Sequence, residues 1–282
     1  MESKGNNIKV NVNGITVCYD DLGEGDIPVI FIHGFPFDKS SWQPQLDFFK
    51  DSQRVIAYDI RGFGNSTKGN ENISIALFAD DLIKFMDMLE IKKAIVCGLS
   101  MGGYILLNAV NRYADRFEAL VLSDTQCIAD SPATKEKRYK QIEQIKSTGI
   151  NDFASTYVKN VFCDESINNK PEIVEKIKKT ILSTSQDSVT RTLTALTQRQ
   201  EMCNWLHRIS IPVLIICGKQ DTVIPFDQSK FLRNKIISST LKSIDGAGHL
   251  SNLEQPDEFN NCMNIFISDL KETTIEKKIA KV

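Results

Sequence analysis

The chain has 282 residues, 41 % hydrophobic and 25 % charged, with a formal net charge of -2 at pH 7. These are globular proportions, enough for a sizeable core, and they argue against a membrane-embedded or disordered chain. A near-neutral balance and a sequence pI of about 6.0 provide no broad basic surface for nucleic acid, which leaves a small molecule as the expected ligand.

The first residues, Met1-Glu2-Ser3-Lys4-Gly5-Asn6-Asn7, are polar and lack the basic-then-apolar pattern of a secretory signal, so the mature protein is expected to begin near here, in the cytoplasm, with no membrane partner. Residues 8–12 and 15–19 alternate in period two around Asn13-Gly14, which reads as an antiparallel hairpin. Short apolar runs follow at 29–32, 55–58, 94–97 and 119–122, the pattern of strands buried on both faces of a parallel sheet. Between them, residues 75–89 place Leu77, Phe78, Leu82, Phe85, Met86 and Leu89 on one helical stripe, and residues 105–110 are also helical. Strand alternating with helix predicts an α/β fold built from βαβ crossovers.

After Asp124 the rhythm breaks. Residues 131–206 are charged and helical in pattern, with no buried-strand run, and strands return at 212–217 and 240–244. The predicted organisation is a first core part at 1–130, a helical cap at 131–206 and a second core part at 207–282. Residues 271–282 read as a solvated helix end or frayed terminus. The seven cysteines, Cys18, Cys97, Cys127, Cys163, Cys203, Cys217 and Cys262, are scattered with no CxxC pair. They are expected to be reduced thiols, with no metal site among them.

The chemistry concentrates at Gly98-Leu99-Ser100-Met101-Gly102-Gly103, between the strand ending at Cys97 and the helix beginning near Tyr104. A G-x-S-x-G in a strand–turn–helix setting is a nucleophile elbow: the serine is strained and exposed, and small neighbours let strand and helix pass closely. A serine hydroxyl needs a base, usually histidine. Of the three histidines, His33 ends a strand and reads as a loop brace, and His207 reads as structural. His249, in Asp245-Gly246-Ala247-Gly248-His249 after the last strand, is the candidate base. The base needs an orienting carboxylate. Asp221, after the strand ending at Cys217, is preferred, with Asp124 as its rival. Oxyanion donors are assigned to the N–H groups of Met101, at a helix start, and Phe35, beside Gly34.

His33-Gly34-Phe35-Pro36, the run Asp59-Ile60-Arg61-Gly62-Phe63-Gly64-Asn65-Ser66, the Ser100 elbow, Gly218-Lys219-Gln220-Asp221 and Gly248-His249-Leu250-Ser251-Asn252-Leu253-Glu254-Gln255-Pro256 together resemble the α/β-hydrolase family. They are most similar to its branch of 3-oxoadipate enol-lactonases, small carboxylesterases and cofactor-free haloperoxidase or perhydrolase-like enzymes. The resemblance implies an α/β-hydrolase fold: a mostly parallel eight-stranded sheet, helices on both faces, a helical cap and no cofactor. Phe35 and Met101 match oxyanion positions, whereas Asp59 and Arg61 match a structural turn. Pro36 resembles perhydrolase-capable members. The order Ser, Asp, His fits this fold and not that of chymotrypsin or subtilisin.

The expected function is hydrolysis of a small carboxylic ester or lactone through an acyl-enzyme, carried by Ser100, His249 and Asp221. The alternatives are C–C bond or amide hydrolysis on the same groups, or a ligand-binding protein without turnover. Phe35, Met101, Gln126, Tyr157, Phe162 and Trp205 are candidate pocket walls, and Arg138, Arg191 and Arg199 are candidate cations in the cap. The sequence assigns no oligomeric state.

Overall fold

The computed structural model describes residues 4–279, so residues 1–3 of the polar start and 280–282 of the tail lie outside the described residues. Eight strands form one sheet in the order β1-β2-β4-β3-β5-β6-β7-β8. The first two, β1 (Gly5–Val12) and β2 (Ile15–Leu22), form an antiparallel hairpin. Its turn is Asn13-Gly14, both at positive φ, 42° and 76°, a conformation that Asn and Gly adopt at little cost. Strands β3 (Val29–Ile32), β4 (Val55–Tyr58), β5 (Ala94–Leu99), β6 (Phe117–Ser123), β7 (Val213–Gly218) and β8 (Ser239–Ile244) pair in parallel, while β2 meets β4 antiparallel. Every residue of β3, β4, β5 and β7 is buried, which is why those segments read as unbroken apolar runs.

Helix α1 (Gln43–Phe49) follows β3, and α2 (Ile75–Met88) begins where the Ser74 hydroxyl accepts the Leu77 N–H. The latter turns Phe78, Leu82, Phe85 and Met86 into the core. Helix α3 (Met101–Arg112) starts immediately after Ser100. Five helices then run between β6 and β7: α4 (Pro132–Thr148), α5 (Asn151–Val161), α6 (Asp164–Asn169), α7 (Pro171–Ser183) and α8 (Gln186–Gln198). This is the block expected to be helical, and α4 opens on a Ser131 cap with Pro132 in its first turn. The chain closes with α9 (Phe226–Lys235), α10 (Ser251–Glu254) and α11 (Pro256–Ile279). None of the described helices is long and apolar enough to cross a membrane.

One expectation is overturned. Cys127 and Cys203 form a disulfide across 76 residues of sequence, leaving five free cysteines rather than seven. The bond joins the segment leaving β6 to the segment returning toward β7, and the Met202 N–H donates to the Cys127 carbonyl beside it at 2.8 Å. Two cysteines 76 apart carry no spacing signature, so only the three-dimensional neck of the helical insertion brings them together. The expectation of reduced thiols therefore holds for Cys18, Cys97, Cys163, Cys217 and Cys262 and fails for Cys127 and Cys203.

Candidate active site

The parallel pairing aligns the C-terminal ends of β3, β5, β6, β7 and β8 along one edge: Ile32 lies opposite Gly98, Leu99 opposite Ser123, and Gly218 opposite Ile244. His33, Ser100, Asp124, Asp221 and His249 each follow one of these ends. In parallel α/β sheets this edge is where ligands bind.

Ser100 sits at φ 52°, ψ -111°, a conformation non-glycine residues rarely adopt. Its surroundings hold it there. The Ser100 N–H donates to the Ser123 carbonyl at 2.9 Å, and Thr125 Oγ1 donates to the Ser100 carbonyl at 2.8 Å. The flanking glycines are required by space: a Cβ at Gly98 would come within 2.5 Å of the Gly102 carbonyl, and one at Gly102 would run into the Ile32 carbonyl.

The structure brings Ser100, His249 and Asp221 together in one chain of contacts. Ser100 Oγ lies 2.8 Å from His249 Nε2, and His249 Nδ1 lies 2.7 Å from Asp221 Oδ2. The carboxylate accepts only, so Nδ1 carries the proton and Nε2 offers its lone pair to the serine hydroxyl. The other oxygen of Asp221 accepts the N–H groups of Val223 and Ile224 at 2.8 and 2.9 Å, which fixes the carboxylate. Burial opposes protonation of His249. The charge and hydrogen bond of Asp221, with the charges of Asp124 and Glu254, outweigh that and raise its pKa above the ordinary 6.5.

Asp124 stands at the same edge but bonds elsewhere. Its Oδ1 accepts the Gly218 N–H at 2.8 Å, and its Oδ2 accepts the hydroxyls of Ser123 at 2.8 Å and Ser251 at 2.5 Å. Burial, then the neighbouring charge of Asp221, pushes its carboxyl well above the usual carboxylate range. Of the other histidines, His207 is exposed on the surface. His33 is buried with both ring nitrogens engaged: Nδ1–H donates to the Gly34 carbonyl at 2.8 Å and Nε2 accepts the Ile60 N–H at 3.0 Å. Burial drives its pKa down to about 4, so the ring is neutral.

A Cβ at Gly34 would lie 3.3 Å from Cβ of Ser100, so the Gly34-Phe35 segment passes directly against the nucleophile candidate. The Phe35–Pro36 peptide is cis. Met101 is the first residue of α3, and its N–H lies outside the helix's own hydrogen-bond ladder. Asp59 and Arg61 serve the turn beside them. Asp59 accepts the N–H groups of Lys39 and Asn65, while Arg61 is fully buried against Asp81 and Glu71.

Of the candidate wall residues, Phe35 and Tyr157 come together. The Phe35 ring meets Phe63, Phe153 and Tyr157 edge-on at 6.1 to 6.3 Å, and Tyr157 Oη donates to the Phe35 carbonyl at 2.7 Å. Phe162 backs onto Gly248. Gln126 lines a cavity of about 180 Å³ with Tyr104, Asn108 and Arg199. Trp205 does not join this group. It packs by Val110, Asn111 and Ala114 at the far end of α3, about 18 Å of helix from Ser100. Among the candidate cations, Arg138 and Arg199 share Asp130, while Arg191 pairs with Asp187 at the surface. Neither Phe153 nor Phe63 was among the wall residues the sequence offered. The Phe153/Tyr157 spacing of four, one face of a helix, was the available signal. Among the described residues no group of three or more His, Cys, Asp or Glu side chains is arranged to hold a metal ion.

The helical insertion reaches the same place through its backbone. The Val161 carbonyl accepts the His249 N–H at 2.9 Å, and the Asn160 carbonyl accepts from Thr222 Oγ1 at 3.1 Å.

Comparison with known proteins identifies the fold family. A family described as the alpha/beta hydrolase fold matches residues 27–256. The 3-oxoadipate enol-lactonase 2 of Acinetobacter baylyi is 32 % identical over 251 residues, covering 88 % of this chain and 92 % of its own. A thermophilic esterase from Thermogutta terrifontis superposes with a TM-score of 0.89 at 30 % identity, over 93 % of this chain and 98 % of that one. The enol-lactonase from Burkholderia xenovorans superposes with a TM-score of 0.86 at 26 % identity, over 93 % and 100 %.

Proposed function

The chain belongs to the α/β-hydrolase fold family, and from that premise we propose that it is a serine hydrolase cleaving a small carboxylic ester or lactone through an acyl-enzyme. The observation that carries the proposal is the continuous chain from Ser100 Oγ to His249 to Asp221, at 2.8 and 2.7 Å. The similarity to an enol-lactonase and an esterase supports the choice of bond.

Ser100 Oγ attacks the substrate carbonyl while His249 Nε2 takes the hydroxyl proton. Asp221 holds the imidazole tautomer and stabilises the imidazolium. The N–H groups of Phe35 and Met101 receive the oxyanion, and His249 then returns the proton to the leaving alkoxide. Water repeats the sequence on the acyl-enzyme and frees Ser100. Residues 131–206 act as a cap over this site, and the aromatic group of Phe35, Phe63, Phe153 and Tyr157 supplies an apolar wall.

Stopped-flow acylation with p-nitrophenyl acetate and butyrate tests the assignment. Ser100→Ala and His249→Ala each lower the rate by roughly 10⁴ or more, whereas His207→Ala, on the surface, leaves it unchanged. Equal nitrophenol release by wild type and Ser100→Ala would overturn the assignment.

A further inference from the structure

Glu254 is a fully buried carboxylate, 0 % exposed, that the reaction above does not use. Its Oε1 accepts the N–H groups of Gly248 at 2.8 Å and Leu250 at 3.3 Å, the two neighbours of His249. Its Oε2 accepts the N–H of Cys163 at 2.8 Å, the residue that caps the start of α6 in the helical insertion. With His249's own N–H bound to Val161, three successive peptides of the base-bearing loop are held, two by Glu254 and one by the insertion.

We propose that Glu254 is a positioning residue, which aligns His249 through its flanking peptides and couples that alignment to seating of the insertion at Val161 and Cys163. This rests on the reading of His249 as the base. A carboxylate is required rather than an amide. Both oxygens face backbone donors, and a glutamine would turn its NH₂ toward at least one N–H. Space enforces the same contact, because a Cβ at Gly248 would lie 2.8 Å from Cys163 N and 3.1 Å from Glu254 Oε1. A fully desolvated charge is retained only where donors satisfy it, and here all three donors belong to the base-bearing loop or the insertion. The charged groups acting on His249 are Asp221 after β7, Asp124 after β6 and Glu254 itself. Lys170 of the insertion reaches the Glu254 backbone carbonyl.

The test compares wild type, Glu254→Gln, Cys163→Pro and Ser100→Ala on p-nitrophenyl acetate across pH. Glu254→Gln lowers kcat by about 10- to 100-fold, the worth of a hydrogen bond to a charged group, with KM little changed. Losing a negative charge also moves the acidic limb of kcat/KM to lower pH. Cys163→Pro breaks the insertion's link to Glu254: the donor is lost, the proline Cδ takes the place of that N–H against Glu254 Oε2, and the thiol contacts to Ser166 and Gly246 go with it. The Cys163 φ of -73° and the extended backbone of Phe162 both accept proline. That variant lowers kcat with the limb in place. A folded Glu254→Gln with an unmoved limb reduces Glu254 to a structural tie and overturns the proposal. If Glu254→Gln does not fold, wild-type kcat in Cys163→Pro overturns it. Ser100→Ala separates the two layers: activity without the serine defeats the hydrolase reading, whereas its loss beside an unaffected Glu254→Gln defeats this inference alone.

Discussion

Asp124 and Asp221 follow neighbouring strands, and sequence order alone leaves both as partners for His249. They differ in what they touch. Asp221 spends one oxygen on His249 and the other on two backbone N–H groups, whereas Asp124 is spent on Gly218, Ser123 and Ser251. Asp221→Asn is therefore expected to cost about 10⁴ in kcat by inverting the tautomer, and Asp124→Asn far less, as steady-state kinetics would show. Asp124 carries its own signature in stability. Its carboxyl pKa is raised by burial and by Asp221, so its contribution is full below the unfolded value and is lost as pH rises through the folded one. Asparagine keeps the acceptor for Gly218, can donate to either serine, and tolerates the φ of 46°. The melting temperature of Asp124→Asn relative to wild type should thus climb between pH 4 and pH 8, and a flat difference would contradict the shift. His249 sets a second pH dependence. As the proposed base, His249 acts when neutral, and its pKa is raised, so kcat/KM should fall as pH drops through a value above 6.5. A midpoint below 6.5 would mean that burial, not the surrounding carboxylates, dominates.

At the scale of elements, the strand–turn–helix around Ser100 was legible because space leaves one solution there. Gly98, Gly102 and Gly103 are each pressed by a neighbour, and buried parallel strands announce themselves as apolar runs. Gly102→Ala is expected to destabilise the fold by about 1–3 kcal/mol through the Ile32 carbonyl, read by denaturant unfolding. The helical insertion was legible as helix but not as a set of contacts. Its links to the site at Asn160, Val161 and Cys163 run through backbone atoms, which leave no mark on residue type. Trp205 shows the converse: an aromatic at the return from the insertion invited a place in the wall, yet it packs at the far end of α3. Tyr157 is the side-chain link that both levels share, a helix residue of the insertion bonded to the Phe35 carbonyl. Tyr157→Phe keeps the ring contacts and removes that bond, worth about 1 kcal/mol. If the bond steadies the oxyanion segment, kcat falls roughly fivefold with KM nearly constant; a change in KM alone would assign Tyr157 to substrate contact.

Over the whole molecule, the insertion hangs from the sheet by two strands of chain, and the Cys127–Cys203 disulfide clamps them where they pass. The clamp closes nearly the entire insertion into one covalent loop. A loop of 76 residues corresponds to about 4 kcal/mol of lost freedom in the unfolded chain, an upper figure because native strain and residual unfolded structure reduce it. Reduction, or the Cys127→Ser/Cys203→Ser pair, should therefore lower the melting temperature by roughly 5–10 °C. Thiol titration of the denatured protein checks the premise directly, with five reactive groups before reduction and seven after it. Because the insertion also holds the His249 loop, the two losses are linked. A chain with a loosened neck seats Val161 and Cys163 less often, so the reduced protein should lose activity at temperatures where the oxidised one keeps it, ahead of global unfolding. Parallel loss of activity and ellipticity in both forms would show that the neck matters for stability alone.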